Sequence, residues 1–202
     1  MDRVNWCEEW RQVVFSDESR FCLGANDGRI RVWRRIGERA NPNCIRERHT
    51  AQTPGVMVWG AISYDSRSQL VFIEGSLNAR RYVNNILRPV AIPFLSHING
   101  AIFQQDNARP HTANISRASL RQIELLPWPA RSPDLSPIEH VWDIIGRRLR
   151  AASQPAQTIA QLRGQIGQAW SDIPQDEIRN LFDSMPRRVS ACISANGGHT
   201  IY

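Results

Sequence analysis

Up to residue 73 the apolar runs of this chain are short and rich in β-branched and aromatic residues, and helical spacing sets in only from Ala79. Runs of that kind read as strands. Gln12–Asp17 and Arg20–Leu23 flank a turn-like Asp17-Glu18-Ser19, which predicts a strand, a tight connection and a second strand. Val56–Ser63 and Gln69–Ile73, joined by the polar Tyr64–Ser68, predict a hairpin that pairs with them. A further short strand is expected around Ile30 to Trp33.

From Ala79 the two periodicities alternate. Tyr82, Val83, Ile86, Leu87 and Val90 have helical spacing interrupted by Pro89 and Pro93, so a kinked or two-part helix is expected to about Leu95. Ala101–Asp106 reads as a buried strand ending on an acid, followed by a helical stretch from Pro110 to about Gln122 and a short strand at Ile123–Leu126. A Pro-rich loop then leads to Ser136 as N-cap and Pro137 at the first helical position. Ile138, Val141, Trp142, Ile145 and Leu149 mark an amphipathic helix. Two more helices are expected between Thr158 and Phe182, with Leu162, Ile166, Trp170 and Ile173 on one face of the first. Strands first, then strand and helix in alternation, predict one α/β domain over residues 1–202, a mixed sheet flanked by helices.

The net charge is +6, and all 25 cations are Arg, the side chain best suited to bidentate contact with phosphate. Residues 29–48 hold seven Arg against two Glu, and so carry +5 of that excess as an expected basic loop. A polyanion such as nucleic acid is the natural partner. The four cysteines contain no CxxC pair, which speaks against a zinc knuckle or a disulfide framework and for reduced packing thiols. No apolar run approaches the 18 residues of a membrane span and no signal-peptide core opens the chain, so a soluble intracellular protein is expected.

Three carboxylates stand out by position. Asp17 and Asp106 end strand-like runs, and Glu139 lies in the first turn of the amphipathic helix. Adjacent strand ends and a helix packed across them can gather such a set, and oxygen ligands of this kind suit Mg²⁺. Each residue alone is more simply a turn or helix-start residue. Glu18 is expected on the opposite strand face and not as a ligand, His140 behind the site or on the surface, Asp134 in a turn with Pro133, and Asp143 paired with Arg147. Arg109 and His111, just past Asp106, are candidate contacts to a phosphate or to the DNA backbone. Trp33, Trp59, Trp128 and Trp142 read as core aromatics.

Together, the blocks Phe15-Ser16-Asp17-Glu18-Ser19-Arg20-Phe21, Gln104-Gln105-Asp106-Asn107-Ala108-Arg109-Pro110-His111 and Ser132-Pro133-Asp134-Leu135-Ser136-Pro137-Ile138-Glu139-His140-Val141-Trp142 resemble the three catalytic blocks of the Tc/mariner DDE transposases. The resemblance extends through Val58-Trp59-Gly60-Ala61-Ile62 to Met185-Pro186-Arg187-Arg188 and Gly197-Gly198-His199-Thr200. It implies a ribonuclease H-like fold and a DDE catalytic domain lacking the N-terminal helix-turn-helix region. It also implies Asp17, Asp106 and Glu139 as catalytic residues and as ligands of two Mg²⁺ (or Mn²⁺) ions. Metal-dependent DNA cleavage and strand transfer, with transposon ends and target DNA as partners, follow from it, as do a homodimer, nuclear residence and no organic cofactor. The resemblance also implies that the basic loop grips DNA or a partner subunit, with Arg34 and Arg35 as candidate DNA contacts. The alternative is a catalytically silent, transposon-derived nucleic-acid-binding domain. A two-acid hydrolase such as a glycosidase accounts for neither the Arg excess nor the third block.

Overall fold

The computed structural model describes residues 3–23, 54–129, 132 and 135–196. The expected Ile30–Trp33 strand, the basic loop 29–48 with Arg34 and Arg35, Asp134 and Gly197–Thr200 all lie outside the described residues.

The longest strand, β1 (Val13–Cys22), runs through the stretch expected to turn. Asp17-Glu18-Ser19 has turn chemistry, but its backbone is held extended by an unbroken antiparallel ladder to β2 (Gly55–Ile62), from Phe15 opposite Ile62 to Cys22 opposite Gly55. Tertiary pairing overrides the local preference. The predicted hairpin forms, with β2 antiparallel to β3 (Val71–Ile73). On its other side β1 pairs in parallel with β4 (Ile102–Gln104), and β4 in parallel with β5 (Glu124–Leu125). The five-stranded mixed sheet has the order β3-β2-β1-β4-β5.

Alternation along the strands sorts the core into two layers. Val14, Trp59, Ala61 and Phe103 face one side, where they pack with Tyr82, Val83, Ile86, Leu87 and Leu120. This side is covered by α1 (Ala79–Arg81), a π-helix (Tyr82–Ala91), α2 (Ile92–Ser96), α3 (Arg109–Thr112) and α4 (Asn114–Ser119). The predicted interruption at Pro89 takes the form of a widened turn rather than a break, because π-type bonding at residues 82–91 accommodates a residue that has no N–H and crowds an ordinary helical turn.

Val13, Phe15, Val58, Ile62 and Ile102 face the other side. There they meet α5 (Pro137–Ala151), α6 (Ile159–Ser171), α7 (Gln175–Asp183) and α8 (Met185–Ser194). The expected amphipathic helix is α5, which buries Ile138, Val141, Trp142 and Ile145. Leu162, Ile166 and Trp170 of α6 are buried as expected, while Ile173, also buried, falls just past its end. Helix α8 was not foreseen as an element; Pro186 suits its first turn.

Candidate active site

The parallel pairing of β1 with β4 sets the geometry. Val13, Val14 and Phe15 lie beside Ile102, Phe103 and Gln104, so Asp17 and Asp106 each follow the last pair by two residues. The pair is closed just below that point by Ser16, whose buried Oγ donates to the Gln104 carbonyl at 2.8 Å. Asp17 shares its strand face with Phe15, the α5 side, and lies opposite Gly60 of β2.

Helix α5 brings the third carboxylate. Its first residue is Pro137, and Glu139 lies in its first turn, where the helix dipole favours a negative charge. Ser136 occupies the N-cap position but makes no side-chain capping bond; it is buried instead. One turn beyond Glu139, Trp142 Nε1 donates to Asp17 Oδ2 at 3.0 Å. Burial, together with the charges of Glu139 and Glu18, raises the Asp17 carboxyl to about 8, against the opposing effect of a Glu18 backbone hydrogen bond and the Trp142 donor.

Asp106 has a different setting. The chain leaves β4 after Gln104, and Asp106 Oδ1 accepts both the Ala108 N–H at 2.9 Å and Nδ1 of His111 at 2.5 Å. The His111 bond holds the Asp106 carboxyl below its usual range, with burial opposing and the Ala108 N–H assisting. The Asp106 side chain is 53% exposed, and that of His111 only 3%. Nε2 of His111 meets Glu18 Oε1 at 3.2 Å, and its ring lies 4.4 Å from that of Tyr82. Burial disfavours the charged imidazole, but the bonds and charges of Asp106 and Glu18 outweigh it and raise His111 to about 10, making it an imidazolium at neutral pH. The Tyr82 hydroxyl in turn donates to Gln105 Oε1 at 2.6 Å.

Glu18 therefore points to the opposite face from Asp17, as expected from strand alternation. The expectation that His111 touches DNA is corrected: it is buried, and both ring nitrogens are engaged by carboxylates. Arg109 is exposed beside Asp106 and forms no ion pair among the described residues. His140 Nδ1 lies 3.4 Å from NH1 of Arg188, a buried residue of α8 that also donates to Ser184 Oγ. The expected Asp143–Arg147 pair does not form. Sequence reasoning missed the donor role of Trp142 because helical spacing assigns it to the core, and the indole is indeed nearly buried.

Asp17 and Glu139 act on each other electrostatically, while Asp106 is turned toward His111. Among the described residues no three His, Cys, Asp or Glu side chains already form a close metal-binding cluster. The donor set nonetheless fits a hard divalent cation. It is all carboxylate, Asp17 carries a raised proton affinity that a cation would relieve, and both Asp106 bonds fall on Oδ1 alone.

Residues 12–163 match the DDE superfamily endonuclease family, and the chain belongs to that family. Its fold and its match to worm transposases define it as a transposase catalytic domain of the Tc1/mariner group. It is 38% identical to the Tc1 transposase of Caenorhabditis elegans, over 100% of this chain and 77% of that protein. It is 36% identical to the Tc3 transposase of the same organism, over 98% of this chain and 60% of that protein. The Mos1 mariner paired-end complex with Mn has a similar fold, with a TM-score of 0.73 and 21% identity over 95% of this chain and 57% of that one. The Mos1 transposase catalytic domain with raltegravir and Mg has a TM-score of 0.70 and 19% identity over 94% of this chain and 86% of that one. The ribonuclease H-like expectation for the fold thus holds.

The raised Asp17 carboxyl has a consequence for stability. A folded-state value of about 8 against an ordinary 3.8 means that the native chain holds an extra proton between those limits, so this group removes stability as pH rises through that window. In the presence of a chelator, Asp17→Asn is expected to raise the melting temperature by a few degrees at pH 8 and much less at pH 5. An equal change at both pH values in thermal melts would contradict the burial argument.

Proposed function

We propose that this chain cleaves DNA strands and joins them to target DNA, with Asp17, Asp106 and Glu139 as its catalytic and metal-binding residues. The parallel pairing of β1 with β4, after which Asp17 and Asp106 each follow by two residues, carries this reading. Bound by these carboxylates, two Mg²⁺ or Mn²⁺ ions would supply Lewis acidity, first for an attacking water and then for a DNA 3′-hydroxyl, and would neutralise charge at the leaving oxygen. The solved Mos1 neighbours that hold Mg or Mn support this choice of ion.

The protein's own contribution is placement. In this reading Asp17 is supplied by the central strand, Asp106 by the segment just after β4 and Glu139 by the opening of α5. The half-exposed Asp106 and the exposed Arg109 face solvent, where a phosphodiester backbone can approach. Phosphoryl transfer asks for positioned charge more than for a tuned acid, which suits a carboxylate set of this kind. The paired-end and strand-transfer complexes of the Mos1 neighbours support DNA as the partner, and the same reading takes the chain to act as a homodimer in the nucleus.

Charge supports DNA as the partner. Residues 75–123, the layer that contains His111 and Tyr82, hold six Arg and a single acid, Asp106. Residues 135–196 on the other layer hold seven Arg and six acids. Arg80, Arg88, Arg109, Arg117 and Arg121 of the first layer are all exposed, and none forms an ion pair among the described residues.

Two measurements test the reading. In a supercoiled-plasmid nicking assay with Mn²⁺, Asp17→Asn, Asp106→Asn and Glu139→Gln should each reduce nicking by about a hundredfold or more, as expected when a preorganised charge is lost. Unchanged nicking in all three would sink the triad, and DNA binding without nicking in the wild-type chain would favour the silent binding domain. Replacing Arg80, Arg88, Arg117 and Arg121 with Gln should flatten the dependence of log affinity on log salt by up to about 0.9 per lost phosphate contact, where Arg147, Arg150, Arg163 and Arg187 should matter less. Equal effects of the two sets in a duplex-binding titration would remove the basic layer from the argument.

A further inference from the structure

We infer that Trp142, locked by Trp170 over Gly60, is a positioning residue that fixes the orientation of the Asp17 carboxylate; this rests on the catalytic reading above and deepens it. Trp142 Nε1 reaches Asp17 Oδ2 at 3.0 Å, and it is the sole side-chain donor to that carboxyl among the described residues. A hydrogen bond from a rigid indole N–H is directional, so it selects one rotamer and one oxygen of Asp17.

The donor is itself immobilised. The indoles of Trp142 and Trp170 stack with centroids 5.2 Å apart and planes at 25°, and the Phe21 ring meets Trp142 edge-on at 6.3 Å. Trp170 Nε1 donates to the Ser68 carbonyl at 3.1 Å, and Ser68 Oγ accepts the Ala61 N–H at 2.9 Å. Ala61 follows Gly60 on β2, and Gly60 lies directly opposite Asp17. The contacts therefore close into a ring that starts and ends on the paired strands: Asp17, Trp142, Trp170, Ser68, Ala61, Gly60.

Gly60 makes the ring possible. A Cβ there would lie 2.7 Å from Cη2 of Trp170 and 3.0 Å from Cη2 of Trp142, so both indoles occupy space that any other residue would fill. The spacing within α5 completes the arrangement. Trp142 follows Glu139 by three residues, which places the donor to Asp17 and the third carboxylate on one helical face. A buried indole needs only some acceptor for its N–H, and a backbone carbonyl would serve. That it takes the Asp17 carboxyl instead, one turn after Glu139 on the same helix, ties the contact to the site.

The test separates orientation from packing. Trp142→Phe keeps an aromatic ring against Trp170 and removes the N–H; Gly60→Ala keeps the N–H and displaces the rings. Both variants should show wild-type far-ultraviolet circular dichroism and a cooperative melt, a Mn²⁺ affinity lowered by about 10- to 100-fold, and a nicking kcat lowered in the same range with KM for DNA unchanged. A folded Trp142→Phe chain with wild-type Mn²⁺ affinity and kcat would overturn the inference alone. Should Trp142→Phe fail to fold, a folded Gly60→Ala chain decides in the same way. Loss of melting temperature in both, with Mn²⁺ affinity intact, would make the pair core and nothing more. A wild-type chain that binds no Mn²⁺ and nicks no DNA would overturn the catalytic reading and this inference with it.

Discussion

The parallel contact between β1 and β4 is the constraint on which the rest of this molecule depends. It is only three residue pairs long, and Ser16 closes it with a buried bond to the Gln104 carbonyl. Because the register is fixed there, β1 runs on past the end of β4, with Asp17 still inside the ladder to β2 and Asp106 in the segment that leaves β4. A slip of one residue would turn Asp17 toward the Tyr82 layer and Glu18 toward α5, exchanging their roles. Phe15 and Val13 hold the register from one side and Val14 from the other, all fully buried.

Around that point the two helical layers treat the two aspartates differently. The α5–α6 layer gives Asp17 a neutral donor, Trp142, and a like-charged neighbour, Glu139, so burial leaves Asp17 with a raised proton affinity. The α3 layer gives Asp106 a cationic donor, His111, which is backed by Glu18, so Asp106 stays ionised. The two carboxyls thus differ in character, one with a raised proton affinity and the other already sharing a protonated imidazole.

Much of this was legible in the sequence. The Asp17 and Asp106 runs, the Ser136-Pro137 helix start and the α5 stripe identify the three elements and the order in which they occur. Asp17-Glu18-Ser19 misled because turn propensity is local, and the ladder to β2 that overrides it is forty residues away. His111 stands out in the sequence as a neighbour of Asp106, but only the folded packing shows it buried against Tyr82 with both ring nitrogens on carboxylates. Trp142 carried no signal beyond its period, and its bond to Asp17 exists only because Gly60 leaves room for two indoles.

The central claim is that Asp17, Asp106 and Glu139 act as one cation site although Asp106 rests on His111. Calorimetric titration of Mn²⁺ into the wild-type chain and into Asp106→Asn, each with a short DNA duplex, tests it most directly. The account predicts saturable binding in the wild type and its loss in the variant. Equal binding in both would place the ion elsewhere and contradict it.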